Sequence, residues 1–257
     1  MTAPPTADLT GRVALVTGAA RRTGRGLALA LARAGADVVV HYGQSQQDAE
    51  SAVAEIAALG RRGVAIQADL GRPGEAERLI QTTLEQARRL DLLVNNVGNY
   101  PLGDALGLSA DAFRDTLETN LTAPYALIRA ARPALAASGI GHVINLGYAG
   151  VEHLVANTRA MAYQISKAGL LVLTRSLAQA LGPDGIRVNM VSPGHIDNSV
   201  DLPADIHSHV PLGRPARVDD IAGALLFLLS PAGGYITGAN IEVAGGYRMS
   251  LSDEIDP

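Results

Sequence analysis

The 257-residue chain contains no cysteine and no tryptophan. Without a thiol, disulfides, thiolate metal sites and cysteine nucleophiles are all excluded, and no metal site is expected. That absence fits a reducing compartment. Lysine is almost missing too: of 21 basic residues only Lys167 is a lysine. Arginine cannot replace lysine where a compact, titratable ammonium is required, so the one survivor in an arginine-biased chain points to a chemical role. Charge of one sign is not in excess either. Twenty-five acidic residues against 21 basic ones give a formal net charge of −4, which provides no electrostatic footprint for nucleic acid. No apolar run reaches the ~18 residues of a membrane span. Residues 1–12 carry Pro4, Pro5 and Asp8 and show no basic stretch followed by an apolar one, so they do not read as a signal peptide. The expected location is the cytoplasm, and the expected partner is a small molecule, with neither nucleic acid nor membrane.

What is present is a regular alternation. Hydrophobic residues make up 47%, as in a globular core. Short, nearly continuous apolar runs at 13–17, 38–42, 64–68, 91–95, 142–146, 186–192 and 240–243 read as buried strands. Helical patterns lie between them at 24–33, 47–59, 75–89, 109–137, 159–181 and 217–229, the long 109–137 region being interrupted near Pro124. Strands of this kind separated by helices predict a parallel sheet covered on both faces. No linker or repeat divides the chain. The expectation is one α/β domain over residues 1–257, a doubly wound Rossmann fold with a parallel sheet of about seven strands. Residues 193–216 have no clear periodicity, and a loop that long is usually functional, often a lid. Ser250 to Pro257 read as a polar tail.

Between the first strand and first helix lies Thr17-Gly-Ala-Ala-Arg-Arg-Thr-Gly24. Glycine there lets backbone N–H groups approach a pyrophosphate, and a helix N-terminus favours the anion. The carboxylate expected about 20 residues on, which would bind a ribose 2′-hydroxyl, is missing. The second strand ends instead in His41-Tyr42-Gly43-Gln44-Ser45, while Arg21 and Arg22 lie in the glycine loop. A cationic loop without a carboxylate suits a 2′-phosphate and therefore NADP(H). The plainer alternative is that both arginines are solvated surface.

Five further segments fall in an order that resembles the short-chain dehydrogenase/reductase family over nearly the whole chain. The family's T-G-x-x-x-G-x-G motif is present with Arg22 in place of the middle glycine. Asn95-Asn96-Val97-Gly98 corresponds to its N-N-A-G, Tyr163-Gln-Ile-Ser-Lys167 to its Y-x-x-x-K, and Pro193-Gly194 to its P-G. Asp69 and Asn120 occupy the adenine-contacting and helix-asparagine positions. Within the family the chain is similar to the pteridine-reductase and 3-oxoacyl-carrier-protein-reductase branches. The resemblance implies an NADP(H)-dependent oxidoreductase that reduces a C=O or C=N group. It places Gly18, Arg21, Arg22, Thr23, Gly24, His41, Tyr42, Ser45, Asp69, Leu70, Asn96, Gly98, Pro193, Gly194 and Ile196 at the cofactor, together with Tyr163 and Lys167. Tyr163 would be the proton donor, Lys167 would bind the nicotinamide ribose, and Asn120 would hold a water of the proton relay. A homotetramer is implied, built through the two long helices and the last strand. The residue types suit this chemistry. A carbonyl receiving hydride needs a proton donor. A phenol titrates near ~10, and a cation close by should lower that value. Tyr163 and Lys167, four apart, share one face of a helix.

One position departs. The family places a serine three residues past the asparagine of the fifth strand, and here that position is Tyr148. Three readings are open. The Tyr148 hydroxyl replaces the serine as a hydrogen-bond donor, or its ring stacks on a flat substrate, or the site has lost ordinary carbonyl reduction. Tyr100-Pro101, just past Gly98, is a candidate aromatic wall. Pteridine or imine reduction is an alternative activity, and a nucleotide-binding sensor or scaffold without turnover is an alternative of another class. Lys167 is expected to be partly exposed, so that its removal leaves the fold intact.

Overall fold

The computed structural model describes residues 7–199 and 202–247. The polar tail at 250–257 lies outside the described residues. The chain alternates β1 (Val13–Val16), α1 (Arg22–Arg33), β2 (Asp37–Tyr42), α2 (Gln46–Ala58), β3 (Gly63–Gln67), α3 (Glu75–Ala87) and β4 (Leu92–Asn95). Then follow α4 (Ala110–Leu117), α5 (Ala123–Ala137), β5 (His142–Leu146), α6 (Met161–Leu181), β6 (Arg187–Pro193), α7 (Ile206–His209), α8 (Val218–Leu229) and β7 (Asn240–Val243). All seven strands run parallel in the order β3-β2-β1-β4-β5-β6-β7. This is the doubly wound Rossmann fold that the strand–helix alternation predicts.

The central strands are mostly apolar because both faces are covered, and the period-2 geometry sends neighbours to opposite cores. Ala14, Val16, Val38, Val40, Leu92 and Val94 pack against Leu27 and Leu31 of α1, Ile56 of α2 and Ile221 and Leu225 of α8. Val13, Leu15, Val39, Leu93 and Val143 point the other way, onto Leu79 and Ile80 of α3 and Leu127, Ile128 and Leu135 of α5. The helices present these residues at i, i+3, i+4 and i+7 spacing, the stripe an amphipathic helix buries. At about 1.5–3 kcal/mol per fully buried aliphatic side chain, the two cores make the sheet a rigid base for whatever its ends carry.

The interruption expected near Pro124 is a π-helical turn over Glu118–Thr122, after which Pro124 falls in the first turn of α5. The described part of the 193–216 segment is mostly irregular. It contains α7, and a parallel bridge between Ile196 and Ala216 ties its two ends together.

The strand order reverses direction of growth between β1 and β4. In open parallel sheets the crevice at the carboxyl ends beside such a switch point is where ligands bind. The glycine turn after β1, Asp69 after β3, Asn96-Val97-Gly98 after β4 and Pro193-Gly194 at the end of β6 lie at those carboxyl ends, while Tyr163 and Lys167 are carried by α6 and Asn120 by the π-turn.

Candidate active site

The glycine turn after β1 is held from three sides. Gly18 has φ +63°, which favours glycine. A Cβ on Gly24 would lie 2.2 Å from the Gly18 carbonyl oxygen, so α1 begins pressed against the turn and tolerates no side chain there. From β4, Asn96 Nδ2 donates to the Thr17 carbonyl at 2.9 Å, and Thr17 Oγ1 accepts from the backbone N–H groups of Asn96 and Val97. From β2, His41 Nδ1 accepts the Gly18 N–H at 3.1 Å, while Nε2 donates to the Ala68 carbonyl at 3.1 Å. That hydrogen-bond pattern assigns a neutral imidazole. Burial pushes its pKa down to about 4. Both ring nitrogens are consumed by backbone atoms. His41 and Asn96, expected as nucleotide contacts, therefore use their side chains to brace the turn.

The first turn of α1 carries no acidic residue, and its N-cap, Arg21, bonds no backbone amide through its side chain. The amides of Arg22, Thr23 and Gly24 have no intrahelical acceptor and face the crevice end of the helix, an arrangement that fits a pyrophosphate. Arg22 has φ +48°, which explains why its place is ordinarily glycine and marks a backbone conformation held against local preference. The expectation of a loop free of carboxylate partners needs correction. Arg21 Nε lies 2.5 Å from Asp48 Oδ2 in the first turn of α2. Among the remaining expected contacts, Asp69 pairs with Arg72 at 3.0 Å and accepts the Gly71 N–H. Leu70 is buried, Tyr42 is half-buried against the α1-side core, and Ser45 caps the start of α2 without a side-chain bond. Gly194 N–H donates to Val243, and the Pro193 carbonyl accepts from Ala149, which fixes the β6 end beside β5.

The second half of the crevice is built on α6. Lys167 is 3% exposed, so it is buried rather than partly exposed as expected. Its ammonium donates to the Leu146 carbonyl, the last of β5, at 2.7 Å. Burial lowers its pKa to about 8. Gly98, just past β4, packs beside this ammonium: a Cβ there would sit 3.5 Å from Nζ, an ordinary contact distance. Tyr163 lies one turn earlier, with Nζ 5.8 Å from its ring centroid. It is flanked by two other phenols. Tyr100 meets it edge-on at a centroid distance of 4.6 Å, and Tyr148 is tilted against it at 5.7 Å.

The Tyr163 hydroxyl is pushed up, first by burial and then by the neighbouring phenols Tyr100 and Tyr148. The expectation that the lysine lowers it is not met in this structure, because the ammonium is turned toward the Leu146 carbonyl. Tyr148 is 7% exposed, in a cluster with Val151, Leu170, Leu171 and Met190, and burial raises its phenol as well. Asn120 sits in the π-turn and is fully engaged. Its Oδ1 accepts the Asn99 N–H, and its Nδ2 donates to the Asn99 carbonyl and to Ser166 Oγ, which in turn donates to the Tyr163 carbonyl. In this structure its side chain ties the β4–α4 loop to α6. Asp48, Asn99 and Ser166 went unnoticed in the sequence, since nothing in their spacing marks contacts across 27, 21 and 46 residues. Among the described residues no group of acidic and histidine side chains could hold a metal ion.

Comparison with known proteins agrees with this geometry. A family model described as enoyl-(acyl carrier protein) reductase matches residues 18–248. The chain is 37% identical over 245 residues to a 3-oxoacyl-[acyl-carrier-protein] reductase of Synechocystis, covering 94% of this chain and 98% of that one. The chain belongs to the short-chain dehydrogenase/reductase family. Two solved structures of the family superpose closely. A blue fluorescent protein from a metagenomic library, in complex with NADPH, gives a TM-score of 0.87 at 36% identity and covers 94% of this chain and 100% of that one. A short-chain dehydrogenase of Burkholderia cenocepacia, in complex with NADP, gives 0.86 at 36% identity, covering 93% and 98%. This short-chain dehydrogenase/reductase is an oxidoreductase.

Proposed function

We propose that the protein is an NADP(H)-dependent reductase acting on a carbonyl carbon, with Tyr163 as proton donor. The observation that carries this reading is the one buried ammonium, Lys167, which has no carboxylate partner among the described residues, lies one turn from Tyr163 on α6 and sits beside Gly98 and the carbonyl end of β5. Gly18, Thr23, Gly24 and the α1 amides would hold the pyrophosphate, with Arg21 and Arg22 at a 2′-phosphate, Asp69 and Leu70 beside the adenine, and Pro193, Gly194 and Ile196 flanking the nicotinamide. The nicotinamide, when bound, supplies a hydride to the substrate carbon. The chain's own residues manage the proton. As the substrate oxygen gains negative charge, the Tyr163 hydroxyl transfers its proton to it, leaving an alcohol and a phenolate. Lys167, released from the Leu146 carbonyl, neutralises that phenolate until solvent returns the proton. Tyr148 also packs beside Tyr163, and its hydroxyl is the donor that replaces the family's serine. Asn120 acts by holding the Asn99 loop against Tyr163 and Ser166.

Two aromatic rings beside the acid favour a flat substrate, which keeps a C=N group, as in a pterin or cyclic imine, within the same chemistry. Exposed Tyr125, Ile165 and Val172 on α5 and α6 support association through these helices into a homotetramer in the cytoplasm. No helix among the described residues is long and apolar enough to cross a membrane. The test is single-turnover oxidation of NADPH with a panel of ketones, imines and pterins. Tyr163→Phe should abolish transfer, and Tyr148→Phe should lower kcat about 100-fold, the loss typical of one donor to a developing oxyanion. An unchanged kcat in Tyr148→Phe would assign Tyr148 to packing, and tight NADPH binding without transfer to any acceptor would favour a sensor.

A further inference from the structure

Three arginines open α1, and they are not equivalent. Arg25 is spent on α2, its Nη2 donating to Ser51 Oγ at 2.7 Å and to Glu55 Oε1 at 2.5 Å. Arg22 is exposed at the strained start of the helix. Arg21 lies between these cases. Its Nε reaches across the crevice mouth to Asp48 Oδ2, and both side chains keep substantial contact with solvent, at 64% and 36% exposure. An ion pair this exposed is weak and exchangeable, so a better partner for either member can open it. A phosphate dianion is a better partner for the guanidinium. A ribose hydroxyl can donate to a carboxylate.

The pair joins the glycine turn to the first turn of α2, next to the β2–α2 connection, and the adenosine ribose of a dinucleotide is expected between the glycine turn and that connection. The strand-end carboxylate that would ordinarily meet a ribose hydroxyl is absent from 41–45, and Asp48, one turn into α2, is the carboxylate closest in sequence to that segment.

We propose that Asp48 is a specificity-determining residue that lowers the protein's discrimination between the two nicotinamide cofactors. It withholds Arg21 from a 2′-phosphate and offers an acceptor to a free 2′-hydroxyl. Arg22 then carries most of the preference for the phosphate, and NADH remains a usable second cofactor. This inference rests on the reading of the crevice as a nicotinamide site.

The experiment measures dissociation constants for NADPH and NADH by the nucleotide's own fluorescence, at two salt concentrations, in the wild type, Asp48→Asn, Arg21→Gln and Glu50→Gln. Glu50 is an exposed acid on the same helix, bonded to Gln46, so its variant removes one negative charge without touching Arg21. With Arg21 freed, Asp48→Asn should raise the ratio of NADH to NADPH dissociation constants about 10-fold, mostly by tightening NADPH, and should steepen its salt dependence. Arg21→Gln should lower the ratio by a smaller factor, about 2- to 3-fold, because Arg21 is already engaged by Asp48 and its removal chiefly leaves that carboxylate unpaired. Glu50→Gln should move it less than about 2-fold, because a solvated charge off the site is screened. A thermal melt of each variant checks the fold. An unmoved ratio in Asp48→Asn, or an equal shift in Glu50→Gln, overturns the proposal while leaving the nicotinamide reading intact. Failure of the wild type to bind either nucleotide overturns both. Binding with the expected ratios but without hydride transfer overturns only the reductase.

Discussion

Two charged side chains are buried at opposite ends of this sheet, and they are treated differently. At the amino end, Asp91 is completely buried just before β4. Its carboxylate accepts the Val13 N–H at 2.8 Å, two bonds from Arg89 and one from Arg12. At the carboxyl end, Lys167 is nearly as buried but has no carboxylate partner, and a single backbone carbonyl receives its ammonium. A buried charge whose donors are all supplied is part of the architecture, stitching β1 to β4 where no ligand comes. One left without a counter-ion is held at a cost that folding alone does not explain, and such sites are where function is found.

Removing each charge should break the comparison in opposite senses, and the larger effect is expected at the lysine. Lys167→Met should reduce turnover at least about 1,000-fold, since the phenolate left on Tyr163 loses its only cation. The same change should stabilise the protein in the absence of nucleotide. The lysine titrates at about 8 in the fold against a usual 10.5. Burial thus disfavours the charged form, and at pH 7 the ammonium costs about 3 kcal/mol. Between those two values the unfolded chain binds more protons than the folded one, so wild-type stability should rise as pH increases from about 8 to 10.5. Urea unfolding across that range checks it: the rise should be present in the wild type and absent in Lys167→Met. A variant less stable than the wild type at pH 7 would mean that the ammonium is a structural tie.

Asp91→Ala should do the reverse. Breaking a buried pair from one side typically costs about 3–5 kcal/mol, and here it also leaves the Val13 N–H without an acceptor. Partial exposure of Arg12 and Arg89 lets water recover some of that, which places the loss at the lower end. The kcat of the folded fraction should be unchanged, because the sheet separates Asp91 from the crevice. A kcat loss larger than the fraction unfolded would show that the amino end transmits strain to the site.

How much of this was legible in the sequence follows the same division. The strands announce themselves because a twice-covered parallel strand is apolar at most positions on both faces, and the cradle because glycine is needed where two backbones touch, as at Gly24. Lys167 stood out by composition alone. Tyr148 was visible as a departure, though not its burial among Leu170, Leu171 and Met190, which come from another helix and strand. The role of His41 was hidden because its two partners are the backbone groups of Gly18 and Ala68, and a backbone atom carries no sequence signature. Asp48 was hidden for a different reason: read by spacing, it is an ordinary acid in the first turn of an exposed helix. The interruption of the 109–137 helical region was legible near Pro124, because proline is a visible breaker, but its form as a π-turn over Glu118–Thr122 was not, since a wide helical turn leaves no mark in composition.

Between the two ends lies a polar chain that can sharpen the comparison. Asn95 Nδ2 donates to Asn145 Oδ1 at 2.8 Å, Asn145 Nδ2 donates to Thr174 Oγ1 at 2.9 Å, and the threonine hydroxyl donates to the Leu170 carbonyl. Thr174 is two turns beyond Lys167 on the same face of α6, and Asn145 precedes the residue whose carbonyl holds the ammonium. The chain therefore fixes the sliding position of α6 on β5, and with it the depth at which Lys167 enters the crevice. Thr174→Val keeps the shape and removes the acceptor, leaving Asn145 Nδ2 unpaired in the core at a cost of about 1–3 kcal/mol. If the chain positions the lysine, kcat should also fall about 3- to 10-fold with KM little changed, and the pH dependence of kcat should shift as the ammonium's surroundings change. Thr174→Ser, which retains the hydroxyl, should restore both. A loss of stability with kcat and its pH profile untouched would assign the placement of Lys167 to the apolar packing of α6 instead.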